Sequence, residues 1–117
     1  MRIAVVTDGN GGVSRHYGRA PEFLVLTVED GVIIARETRP KAPCHGEGGG
    51  GAAAAETVSD CDVVIAAGMG TGALGHLDAA GLTVVTTDET DPETAALRCA
   101  YGDLPHLANR IHRSGRH

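Results

Sequence analysis

Tryptophan is absent from this sequence, and Tyr17, Phe23 and Tyr101 are its only aromatic residues. The stacking platforms that hold single-stranded nucleic acid are therefore nearly missing. Basic charge is short as well: 10 Lys and Arg stand against 15 Asp and Glu, a formal net charge of −5. Long-range repulsion of phosphates by such a chain argues against a nucleic-acid partner. No apolar run reaches membrane-spanning length, and the run in "MRIAVVTDGN" is too short for a signal peptide. The expectation is a cytoplasmic protein with no membrane partner. Cys44, Cys61 and Cys99 are an odd number at wide spacings. They form neither a disulfide framework nor a C-x-x-C metal or redox motif. The G-x-S-x-G, H-E-x-x-H and P-loop signatures are also lacking.

What is present fits one globular domain: 117 residues, 42% of them hydrophobic in short runs. The charge is unevenly spread. Residues 47–97 hold nine acids and no Lys or Arg, whereas residues 14–45 hold five basic residues, four acids and two histidines. A locally basic segment on an acidic chain suits a small anion better than a polyanion.

The runs alternate in kind. "RIAVVTDG" reads as a strand ending in a turn, and "EFLVLTVEDGVIIARETR" as a hairpin about Asp30-Gly31, a type I′ dipeptide. "AAAAETVSD" favours a short helix. "CDVVIAA" and "LTVVTTD" are continuous apolar strands of the kind covered on both faces. Between them "GMGTGALGHLDAAG" predicts a helix stopped at Gly81. "DPETAALRCAYG" predicts a helix with Asp91 as N-cap and Pro92 at its first position. "LPHLANRIH" predicts a last helical segment. The order β-β-β-α-β-α-β-α implies a single α/β domain with a mixed five-stranded sheet. Its first three strands are of antiparallel hairpin type, a parallel βαβ part follows, and helices flank both. The domain is expected over residues 1–109, with residues 110–117 a basic C-terminal tail.

Three segments could carry chemistry. "GMGTGA", residues 68–73, follows a buried strand, opens a helix and is followed by Asp88 after the next strand. That is formally a dinucleotide fingerprint using Gly68, Gly70, Ala73 and Asp88, or else a tight turn whose amides face an anion. Met69 adds a soft thioether at that mouth, or packs. In "SRHYGRAP", Arg15, His16 and Arg19 could converge, Arg with planar donors and His with a switchable one. The third segment crowds five glycines into residues 46–51 directly after Cys44 and His45. Two adjacent soft ligands cannot close a tetrahedral metal site alone. A lid carrying Lys41, Cys44 and His45 is the functional reading, and an incidental linker the plain one. Cys61 and Cys99 read as small buried hydrophobes. Asp8 ends the first strand as a nuclease carboxylate would, but Ala66-Ala67-Gly68 offers no partner acid for a two-metal site.

The chain resembles the dinitrogenase iron–molybdenum cofactor biosynthesis family. The likeness rests on "RIAVVTD", on "VSRHYGRAPEFLVLTVEDG" with its S-x-H-[aromatic]-G-R-A signature, on the Cys/His- and Gly-rich loop, and on "DVVIAAGMGTGAL" and "AAGLTVV". It implies a ribonuclease H-like fold without nuclease activity, and a non-enzymatic role in binding metal–sulfur clusters or their precursors. Family loops at residues 44–51 are often His-rich, and this one keeps one His and one Cys. The chain is also similar to a small stand-alone member that holds a mixed molybdenum–copper sulfide cluster non-covalently. The expected cargo is such a cluster or thiomolybdate, with an iron–molybdenum precursor as the alternative and a donor or recipient protein as partner. The expected pocket lies between residues 9–20, 40–51 and 68–72. Ser14, Arg15, His16, Arg19, Lys41, Cys44, His45, Gly68, Met69 and Gly70 would line it, with Cys44 and His45 as metal ligands. A nucleotide-binding module and a ligand-free protein-interaction adaptor stay open as other readings of the residues.

Overall fold

A computed structural model of the chain describes residues 1–41, 51–102 and 111–112. Strand β1 (Arg2–Thr7) runs antiparallel to β2 (Glu22–Glu29), which pairs with β3 (Val32–Pro40) through a hairpin. Both turn residues, Asp30 (φ 53°) and Gly31 (φ 76°), are left-handed, as a type I′ turn needs. One residue of β3, Ile34, is bulged out between the pairs Thr27–Ala35 and Val28–Ile33. On its other side β1 runs parallel to β4 (Val63–Ala66), and β4 parallel to β6 (Thr83–Thr86). The sheet order is β3-β2-β1-β4-β6, the mixed five-stranded arrangement expected from the sequence.

Alternation along β1 sends Ala4 and Val6 to one face and Ile3 and Val5 to the other. The first face packs on Ala54, Ala55 and Val58 around helix α1 (Gly51–Thr57) and on Leu77 of α2 (Thr71–Ala79). The second packs on Ala95 and Ala96 of α3 (Pro92–Tyr101). The strands covered by helices on both faces are the ones whose sequences do not alternate.

The helix ends follow the expected chemistry. Asp91 caps α3 by accepting from the Thr94 amide at 2.8 Å, and Pro92 opens it. Gly81 follows α2 at φ 85° and donates its amide to the Asp78 carbonyl. One expectation fails. Ile111 and His112, read from the sequence as the end of a last helix, form a short strand, β7, parallel to β5 (Met69–Gly70). Apolar spacing in so short a segment cannot outweigh a backbone partner supplied from elsewhere in the chain. The rest of that segment, and the Cys44–Gly50 stretch with its metal-ligand expectation, lie outside the described residues. Among the described residues no helix is long and apolar enough to cross a membrane.

Candidate functional site

The parallel strands β1, β4 and β6 all end on the same edge of the sheet. From β1 the chain turns back to β2 on one side, while β4 and β6 build the sheet on the other. The crevice above β1 and β4 is thus the switch point where open α/β sheets place their ligands.

Ser14 occupies that crevice. Its amide donates to the Val6 carbonyl at the end of β1 (2.7 Å), and its carbonyl accepts the Ala67 amide just beyond β4 (2.9 Å). The Ser14 hydroxyl folds over the next turn, accepting from the His16 amide at 3.1 Å and donating to the His16 carbonyl at 3.2 Å. The residue is only 5% exposed. A small side chain with both a donor and an acceptor is what this position uses.

From there the chain makes a single 3-10 turn over Tyr17–Arg19. The Tyr17 amide donates to the Gly68 carbonyl at 3.0 Å, stitching the "SRHYGRA" loop to the "GMG" turn. The Tyr17 ring is buried against Phe23, their centroids 6.0 Å apart. Lys41 comes in from the end of β3. Its amide donates to the Pro21 carbonyl (2.9 Å), its Nζ donates to the Ala20 carbonyl (3.4 Å), and the ammonium lies over the Tyr17 ring.

Beyond Gly68 the backbone leaves the main sheet. Met69 and Gly70 pair with Ile111 and His112, and Gly70 (φ −83°, ψ 164°) becomes the N-cap of α2. Its N-cap, Gly70, has no side chain to cap it, and no acid lies in its first turn. Its leading amides have no partner within the helix and carry the positive end of its dipole.

The structure therefore brings together Ser14, Lys41, Gly68 and Gly70 as one assembly, with Arg15 and His16 exposed beside it. Arg19 contributes the backbone of the 3-10 turn. Met69 stands apart from the expectation of a thioether at the mouth. Its side chain is 1% exposed and packs in the core beside Tyr17 and Leu77. Lys41, expected on the lid, is likewise buried, at 5% exposure. Sequence reasoning placed Tyr17 in the signature but not among the site residues, and it is the residue on which the two loops meet. The signal was there, in the aromatic position of the S-x-H-[aromatic]-G-R-A signature.

Electrostatics set several groups apart from ligand chemistry. The Asp8 carboxylate accepts from the Asn10 and Gly12 amides, and these hydrogen bonds hold it below the usual carboxylate range. Burial, helped by the neighbouring Asp60 charge, pushes the Cys61 thiol up to about 12. It is a protonated thiol at neutral pH and no ready thiolate ligand. Among the described residues, no three His, Cys, Asp or Glu side chains gather as a metal-holding group. A separate cavity of about 350 Å³, lined by Met1, Val28, Asp30, Gly31, Ala100 and Tyr101, lies at the β2–β3 turn. It includes none of the expected site residues.

Residues 1–101 match the family described as dinitrogenase iron–molybdenum cofactor. The FeMo cofactor biosynthesis protein NifB of Sinorhizobium fredii (strain NBRC 101917 / NGR234) is 30% identical over 105 residues, 86% of this chain. That stretch is 21% of the relative, so the chain spans about a fifth of its length. Among solved structures, the apo form of the orange protein from Desulfovibrio gigas aligns with a TM-score of 0.75 at 28% identity. The alignment covers 92% of each chain. The structure of PH0822 aligns with a TM-score of 0.74 at 21% identity, over 93% of this chain and 96% of that one, a likeness of fold. The signature from Ser14 to Ala20, the glycine turn it is stitched to and the sheet beneath both place this chain in the dinitrogenase iron–molybdenum cofactor family.

Proposed function

We propose that the chain binds and carries an anionic metal–sulfur cluster or its thiomolybdate precursor, without catalysing a reaction on it. The observation that carries this reading is the stitched pair of loops at the switch point. Exposed Arg15 and His16 stand on one loop, and the uncapped first turn of α2 stands on the other.

The donor set decides the kind of ligand. The two stitched loops offer N–H groups and positive charge, while at the same edge Asp8 is engaged by its own turn, Glu22 by the Thr7 hydroxyl and Glu89 by the Thr90 and Asp91 amides. Such a set is poor at chelating a bare cation and good at holding a compact anion whose metals already have their sulfide ligands. A molybdenum–copper sulfide cluster meets that description, as does an iron–molybdenum precursor with a complete sulfide shell. The cluster is cargo, and the chain's part is to orient it by hydrogen bonds. His16 and Arg15 would face its sulfide edges, the amides following Gly70 would take its negative charge, and Arg19 belongs with them by its place in the motif. Lys41 serves differently, fixing the start of the glycine-rich segment to Ala20, Tyr17 and Pro21. Cys44 and His45 would reach the cargo from that segment as its direct metal contacts. A cytoplasmic setting and a protein that donates or receives the cluster belong to the same proposal.

The test is a metal and sulfide analysis, with a visible spectrum, of protein purified anaerobically from its native host. Strong visible absorption with molybdenum and sulfide at near-stoichiometric amounts is the expected result. Colourless protein that also refuses thiomolybdate and copper on reconstitution would overturn the reading.

A further inference from the structure

Met69 and Gly70 sit at the centre of the proposed site, yet the main sheet does not hold them. The last bond to the neighbouring loop is made at the Gly68 carbonyl by the Tyr17 amide. One side of the next step is anchored by the Met69 side chain in the core. The remaining backbone of these two residues is laddered to Ile111 and His112, supplied from beyond α3.

This matters because Gly70 sets the aim of the amides that follow it. Its extended conformation as N-cap is one of many that a glycine can adopt, and no side-chain cap holds it. The parallel pairing with His112 supplies the missing restraint.

We propose that the segment carrying Ile111 and His112 is a strap on the Gly68–Gly70 turn, and that the strap and a compact anionic ligand favour one another. The proposal rests on the carrier reading, since both partners require the turn in one conformation. Linkage then makes the coupling reciprocal: the strap tightens binding by the factor by which the ligand tightens the strap.

The experiment compares the full chain with the double variant Ile111→Pro, His112→Pro. This variant removes two backbone donors and keeps every arginine, so the long-range charge is nearly unchanged. The probe is tetrathiomolybdate, followed by its visible spectrum. The expected result is about tenfold weaker binding by the variant with an unaltered melting temperature, a coupling of ordinary size. Binding by the variant within about twofold of the full chain would overturn the proposal. A second readout is amide hydrogen exchange at Gly70 and Thr71 in the ligand-free proteins. Faster exchange in the variant supports the strap, and equal exchange overturns it. Should the full chain itself refuse tetrathiomolybdate, the carrier reading falls with the ligand coupling, and the exchange data alone decide whether the turn is strapped.

Discussion

The Lys41 ammonium lies 4.5 Å from the centroid of the Tyr17 ring, in a position only 5% exposed. A charge so placed has given up most of its water, and the ring face and the Ala20 carbonyl take over part of that solvation. Lys41→Met keeps the aliphatic stem and removes the charge. The expected loss is about 1 kcal/mol of stability, the scale of one cation–π contact, read as a lower urea midpoint with an unchanged slope.

Met69 offers a clean separation of packing from ligation. Met69→Leu nearly conserves volume and should cost under about 1.5 kcal/mol, while Met69→Ala opens a cavity and should cost about 2–5 kcal/mol. Thiomolybdate binding by the Leu variant is expected to equal that of the parent. A loss of binding with the melt intact would show that the thioether acts on the ligand.

His16 and Arg15 are exposed beside the stitched loops, where no core packing depends on them. Replacing either by Ala should weaken thiomolybdate binding by about tenfold, the worth of one charge-assisted hydrogen bond. The melting temperature should hold. Unchanged binding in both variants would remove this loop from the pocket.

Asp60 takes two hydrogen bonds from Arg39, at 2.7 and 3.0 Å, and one from Arg2 at 2.8 Å. The Arg39 guanidinium holds its carboxyl far below the usual carboxylate range. A depressed folded pKa gives stability that is complete above the unfolded value near 4 and is lost as pH falls through the folded one. Since the Asp60 side chain is 46% exposed, solvent screening limits the contribution to about 1 kcal/mol. Asp60→Asn should therefore be less stable than the parent at pH 7, with the gap closing below about pH 4 in acid-dependent urea melts.

Gly31 has φ 76°, and a methyl built on it would meet the Tyr101 hydroxyl at 2.5 Å. Tyr101 is 72% exposed and can swing away, so the backbone conformation carries the cost. Gly31→Ala should destabilise by about 1 kcal/mol. Most of that loss should persist in a Tyr101→Ala background, and full recovery there would assign it to the clash instead.

Much of the fold was legible because local chemistry and tertiary need agree. Asp30-Gly31 announces its turn, Asp91-Pro92 its helix start, and the unbroken apolar run at Val63–Ala66 its two-sided burial, whereas Thr83–Thr86, expected to be buried, is the edge strand and only Thr86 of it is buried. The site was legible only as a set of loops. Ser14 filling the switch point cannot be read from a serine in a polar stretch, because its partners are main-chain groups of Val6 and Ala67. Met69 and Lys41 are hard to read from sequence for a shared reason. Each has a side chain whose chemistry suggests a ligand, and each is turned inward by neighbours distant in sequence. Strand β7 gave no signal at all, since two residues show no period.

The serine wedged between β1 and β4 has a mechanical consequence. Enzymes on open sheets let substrate sink between strand ends, where water can be shut out. Here the main chain itself plugs that slot with bonds to both strands. A ligand held at this edge would therefore rest on the loops rather than between the strand ends, like a stone on a setting. On the carrier reading, a load resting there could be gripped by a second pair of hands before the first lets go.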